Sequence, residues 1–201
     1  TAKLPTYLIA FAVGPMDVVD YGSIAPNDVR ARPIPLRGFA VKGKGKLLDY
    51  ALKNTGPMLS ILESYLGMEY PYEKIDLISV PDFSAGAMEN VGVITFRDWL
   101  LLIDEENAPA RQKRYYAYVM AHELAHQWFG NLVTMPWWDD LWLNESFSSW
   151  IESIVMQEFA PQYKAELTTV QTSLRVMKTD SKVSARQIRQ PILNDHDIHN
   201  A

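Results

Sequence analysis

Five consecutive residues, His122-Glu123-Leu124-Ala125-His126, match the pattern H-E-x-x-H. Each residue of a helix turns about 100 degrees, so two imidazoles four positions apart stand one turn apart on one side and reach the same ion. Glu123 beside them offers a carboxylate that can reach water on that ion without being a ligand. The chain has only 4 His, which makes a chance match improbable, although isolated matches are common. A hydrolytic zinc site usually takes three protein ligands and leaves a fourth position to water. Glu145 is placed to be the third: eighteen residues separate it from His126, enough for the chain to turn back and present a carboxylate from a facing helix. The alternative for Glu145 is a first-turn acid favoured by the helix dipole. His196 and His199 lie in a polar tail without helical context and read as surface or locally hydrogen-bonded residues.

A second informative run is Gly86-Ala87-Met88-Glu89-Asn90-Val91-Gly92. A glycine-rich turn leading into a strand lets a substrate backbone approach, and Glu89 adds a fixed negative charge. From the residues alone, a solvated loop acid is at least as good a reading of Glu89 as a substrate anchor. Trp137, Trp138 and Trp142 read as packing that wedges the loop after His126 against the core. Asp139 and Asp140 read either as support for the metal site or as solvated loop acids.

These groups need elements to hold them. Residues 109–129 read as one helix closed by Gly130, with Tyr115, Val119, His122, His126 and Phe129 on a common face. A second long helix is expected from about 143–145 to before Pro161, with Phe147, Trp150, Ile151, Ile154 and Val155 as its apolar side. A third is expected over about 162–177. Upstream, residues 7–13 read as a strand stopped by Gly14-Pro15, and 34–36 and 38–41 as short extended pieces. Spacing near three and four from Met58 to Leu66 predicts a helix beginning around Gly56-Pro57 and ending at Gly67. Residues 75–80 and 91–96 are expected as strands, with 84–90 at the mouth of the second.

Composition bounds what this can be. With 201 residues, 48% hydrophobic and 21% charged, the chain can bury a core without disulfides or other staples. It has no cysteine, so any metal must sit on His, Asp or Glu. A net charge of -5, with basic residues scattered apart from Lys42-Gly43-Lys44-Gly45-Lys46, is poor footing for a nucleic-acid partner. Apolar runs fall far short of the roughly 20 residues that cross a bilayer. The first residues have neither an initiator Met nor a signal-peptide pattern. The segment is therefore expected to be cut from a longer polypeptide, its compartment open between cytoplasmic and extracytoplasmic.

Three stretches in order, Gly86-Ala87-Met88-Glu89-Asn90, His122-Glu123-Leu124-Ala125-His126 and Trp137-Trp138-Asp139-Asp140-Leu141-Trp142-Leu143-Asn144-Glu145, make the chain similar to the M1 family of zinc aminopeptidases, the gluzincins. The resemblance implies an α+β, thermolysin-like catalytic domain: a small mixed sheet followed by a mostly helical segment that carries one Zn2+. It implies that residues 1–14 end a preceding β domain and that 15–201 are a C-terminally incomplete catalytic domain. It makes His122, His126 and Glu145 the zinc ligands, Glu123 the general base, and Glu152 a carboxylate supporting a zinc-bound imidazole. Gly86, Ala87, Met88, Glu89 and Asn90 become substrate-binding, Glu89 holding the free α-ammonium.

The implied activity is removal of the N-terminal residue from peptides with a free N-terminus. The family's transition-state tyrosine is expected beyond this segment, since no tyrosine follows Tyr163; the missing N- and C-terminal domains are the implied partners, and the segment alone is expected to turn over poorly. A thermolysin-type endopeptidase and a non-catalytic, zinc-stabilised interaction module are the rival readings.

Overall fold

The computed structural model describes residues 4–198, and His199 lies outside them, as does the side chain of His196. Five strands, β1 (Met16–Ile24), β2 (Ile34–Val41), β3 (Ile75–Val80), β4 (Ala87–Met88) and β5 (Ile94–Arg97), form one mixed sheet in the order β1-β2-β3-β5-β4. β2, β3 and β5 run parallel, while β1 and β4 are antiparallel edges. Helix α1 (Asp49–Leu66) is the crossover between β2 and β3. After β5 come a short α2 (Asp98–Leu101), then α3 (Ala110–Ala125), α4 (Leu141–Phe159), α5 (Ala165–Asp180) and a single turn, α6 (Asp195–Ile198). This is the α+β order of a small mixed sheet followed by helices.

Of the parallel strands, β3 is buried almost throughout, whereas β2 alternates between buried and more exposed residues. Leu36, Ile75, Leu77, Ile94 and Phe96 pack with Leu52, Leu59 and Leu62 of α1 and with Tyr116, Met120 and Leu124 of α3 in one core. One charged pair is buried beside it: Arg30 Nε donates to Glu63 Oε1 at 2.8 Å, the Tyr70 amide donates to the same oxygen and the Asn27 side-chain amide to Oε2. Among the described residues no helix is long and apolar enough to cross a membrane.

Several elements differ from the sequence reading. Residues 7–13 are not a strand: Thr6–Leu8 is a 3-10 turn, and the chain then runs without a sheet partner among the described residues, leaving Ile9, Phe11 and Val13 exposed. The first strand begins at Met16, where pairing with Val41 becomes available; its largely exposed, poorly alternating sequence gave little signal. Helix α1 begins seven residues before Gly56 and runs through Pro57. The carbonyl that Pro57 leaves without its helical donor is that of Lys53, which faces solvent. At its other end Gly67 is left-handed, as its place predicts.

β5 starts at Ile94 because residues 91–93 form a turn around Gly92. Helix α3 stops at Ala125, and the turns that follow are tightened by Gln127 and Trp128 amides bonding three residues back. On α4, Phe147 and Trp150 are exposed, and the buried stripe is Asn144, Ser148, Ile151 and Val155. Phe147 stacks instead on Phe129, and Trp150 meets Tyr65 edge-on. Helix α5 begins only at Ala165, after a 3-10 turn over Pro161–Tyr163.

Candidate metal centre

Helix α3 forms because Tyr116, Met120 and Leu124, with alanines between them, lay one face on the core. The opposite side carries His122 and, at the helix C-cap, His126. The chain then reverses through Gly130, whose φ is +119°, and a Cβ there would lie 3.2 Å from Asn144 Nδ2 and 3.3 Å from His126 Nδ1. Both the backbone angle and the close approach demand glycine. That turn lets α4 pack on α3 and brings Glu145 over the two imidazoles.

The three donors converge. His122 Nε2 and His126 Nε2 are 2.9 Å apart, and Glu145 Oε2 is 3.3 Å from the first and 3.8 Å from the second. A tetrahedral site with bonds of about 2.0–2.1 Å has edges of about 3.3 Å, and these separations straddle that length. The other ring nitrogens are engaged: His122 Nδ1 with Glu152 Oε2 at 3.0 Å, and His126 Nδ1 with the Phe129 carbonyl at 3.0 Å. Donation at Nδ1 leaves an Nε2 lone pair on each ring. With both Nε2 atoms unprotonated, two lone pairs and a carboxylate oxygen face one another, an arrangement that a cation between them, a metal ion or a proton on His122, would satisfy. The donor set, two imidazoles and a carboxylate with no thiolate, fits Zn2+ with a position left open.

The surrounding charges carry the same mark. Burial disfavours charge on His122, yet its hydrogen bonds to Glu145 and Glu152 outweigh this and hold its pKa well above the imidazole range. Burial pulls His126 down. Glu145 is kept below the usual carboxylate value because the hydrogen bond from His122 and both imidazoles outweigh its desolvation. Glu123 is nearly inaccessible, and burial pushes its carboxyl well above the carboxylate range, with the charge of Glu89 adding to the effect. Its Oε2 has no hydrogen-bond partner among the described residues.

The cleft, about 460 Å³, is walled on its far side by residues 85–89. β4 pairs with β5 through Ala87 and Met88 and is the sheet edge, so its outer backbone groups face the metal cleft's side of the sheet unpaired by another strand. Gly86 accepts the Arg97 amide at 2.8 Å, while Asn90 Oδ1 accepts Thr95 Oγ1 at 3.0 Å and so turns inward. Glu89 is buried, and its carboxylate, that of Glu123 and a His126 nitrogen lie within 4.8 Å of one another.

Some assignments change. Trp137 is exposed, whereas Trp138 packs on Tyr7 at 5.0 Å and Trp142 is half-buried with its indole nitrogen inaccessible. Asp139 and Asp140 neither support the metal site nor lie free in solvent: they hold Arg189, and Asp139 also accepts the Ile192 amide. The residues that sequence reasoning missed are Gln127, Asn131 and Asn144, buried amides around the two helix ends. Met120, Leu124, Gln127 and Asn131 recur at helical spacing, so two amides continuing a buried face were a signal available in the sequence.

A small mixed sheet followed by helices bearing a His/Glu donor set is the arrangement of the thermolysin-like gluzincins. Residues 50–201 match the Peptidase family M1 domain, and the chain belongs to that family. It is 42% identical over 193 residues to aminopeptidase N of Rattus norvegicus, covering 95% of this chain and 19% of that one. It is 41% identical over 192 residues to aminopeptidase N of Homo sapiens, covering 95% and 19%. With aminopeptidase M1-A of Oryza sativa it shares 38% over 198 residues, covering 98% and 22%. The chain thus spans about one fifth of the length of these relatives.

Proposed function

We propose that this chain carries the metal centre of a zinc-dependent aminopeptidase, with His122, His126 and Glu145 as ligands, Glu123 as general base and Glu89 as the seat of the substrate's α-ammonium. Bound Zn2+ supplies Lewis-acid polarisation of the scissile carbonyl and lowers the pKa of water. Glu123 takes the proton of the attacking water at its unpartnered Oε2 and returns it to the leaving amine nitrogen. Glu152 holds His122 in the tautomer that presents Nε2. Gly86, Ala87 and Met88 offer the edge of β4 to the substrate backbone, and Asn90 fixes the end of that loop.

The observation that carries the choice of an exopeptidase is the nearness of Glu89 to Glu123 and His126, all within 4.8 Å. The amino nitrogen and carbonyl carbon of one residue are two bonds apart, about 2.5 Å. An ammonium on Glu89 therefore leaves room for a single residue before the reacting carbonyl. We further propose that residues 15–201 are the catalytic part and 1–14 the connection to a preceding β domain. In support, β1 and β2 share the sheet of β3 and β5 although they precede the matched residues.

In the full-length enzyme, Glu123→Gln is expected to retain zinc and lose about 10²–10⁴-fold in hydrolysis of an N-terminal residue, and turnover equal to that of the unsubstituted enzyme would overturn the assignment. Equal rates on free and N-acetylated dipeptides would favour an endopeptidase. A rate for the unsubstituted chain no higher than that of Glu123→Gln would favour the zinc-stabilised module.

A further inference from the structure

We propose that Gln127 and Asn131 are positioning residues for the substrate's free amino group, holding Glu89 through its own backbone carbonyl. The proposal rests on the reading of Glu89 given above. Asn131 Nδ2 donates to the Glu89 carbonyl at 2.8 Å, and Gln127 Nε2 donates to the same oxygen at 3.1 Å and to the Glu123 carbonyl at 3.2 Å. Both amides are buried. They extend from the end of the helix that bears His122 and His126, so the clamp ties the loop with Glu89 directly to the imidazole-bearing element.

The loop needs such a tie. β4 contributes only two paired residues to the sheet, Ala87 with Phe96 and Met88 with Thr95, and the chain leaves the strand at Glu89. The bonds to Glu89 from elsewhere in the fold fall on its carbonyl; its carboxylate makes no hydrogen bond or ion pair among the described residues. The donors are neutral. A lysine or arginine in their place would pair with the carboxylate and compete with an incoming ammonium, whereas two amides fix the backbone and leave the charge free. They also leave Gln127 Oε1 and Asn131 Oδ1 buried without a partner among the described residues, a burden that apolar residues filling the same space would avoid. A role in placement accounts for retaining them.

The test is calorimetric binding of a tripeptide with a free N-terminus and of its N-acetylated form to zinc-loaded protein, unsubstituted and as Asn131→Ala or Gln127→Met. Asn131→Ala is expected to keep its zinc and lower the ratio of free to acetylated affinity about tenfold; Gln127→Met is expected to lower it less, since Asn131 makes the shorter bond. A purely structural role would lower thermal stability and leave that ratio unchanged, which in folded, zinc-loaded variants overturns the proposal. Failure of both variants to fold would make the amides structural and overturn it as well. No preference for the free amine in the unsubstituted protein would remove the reading of Glu89 itself, and the clamp with it.

Discussion

The imidazole of His122 is shared between two carboxylates with different tasks. Glu145 faces its Nε2 across the metal position, and Glu152 accepts from Nδ1 seven residues further along α4, two helical turns and so on the same face. Removing an outer partner of a ligating histidine typically weakens metal binding 10–100-fold. Glu152→Ala is accordingly expected to raise the zinc dissociation constant by that factor, measured by competition with a chromophoric chelator. Glu152→Gln keeps an acceptor for Nδ1–H and is expected to fall between the two. Equal affinities in all three would mean that His122 is oriented by packing alone.

At the level of elements, the site depends on how α3 ends. Had the helix continued to Phe129, as apolar spacing suggests, His126 would not be capped by the Phe129 carbonyl and α4 could not approach. Gly130 makes the reversal. Gly130→Ala is expected to cost roughly 1–3 kcal/mol in urea unfolding and to weaken zinc binding, because the new methyl meets Asn144 and the ring of His126. Gly67 provides the control: its φ is +63° and nothing lies within 4 Å of a Cβ there, so Gly67→Ala should cost about 1 kcal/mol and leave zinc affinity unchanged. Similar losses of zinc affinity in both would show that general destabilisation, and not the contact at His126, is responsible.

Across the whole molecule, acid stability is tied to a carboxylate far from the cleft. Asp76 on β3 is nearly inaccessible, and its desolvation is outweighed by hydrogen bonds from Arg37 on β2 and from Lys74, so its pKa lies below the ordinary carboxylate value. A depressed folded pKa means stability that is present above the unfolded value near 3.9 and lost as pH falls through the folded one. Asp76→Asn is expected to be less stable at neutral pH and to show a flatter decline below about pH 4, read from thermal midpoints between pH 7 and 2. Parallel curves would show that Asp76 carries no part of the acid transition.

What was legible in the sequence was local and periodic. H-E-x-x-H places its own imidazoles because a helix repeats every 3.6 residues, β3 reads from its loose alternation before Pro81, and the interval to Glu145 brings back a third donor. The order of the three motifs carries the likeness to the family on its own. Tertiary structure alone decided the rest. Residues 9–13 have strand-like composition but pair with no strand among the described residues, whereas weakly patterned 16–24 is a strand because β2 lies beside it. Glu89 could have been a solvated loop acid; it is buried beside Glu123 because Gln127 and Asn131, some forty residues away along the chain, grip its carbonyl. Strand pairing and the placement of a charge depend on partners distant in sequence, and a pattern within one segment carries no record of which partner will be there.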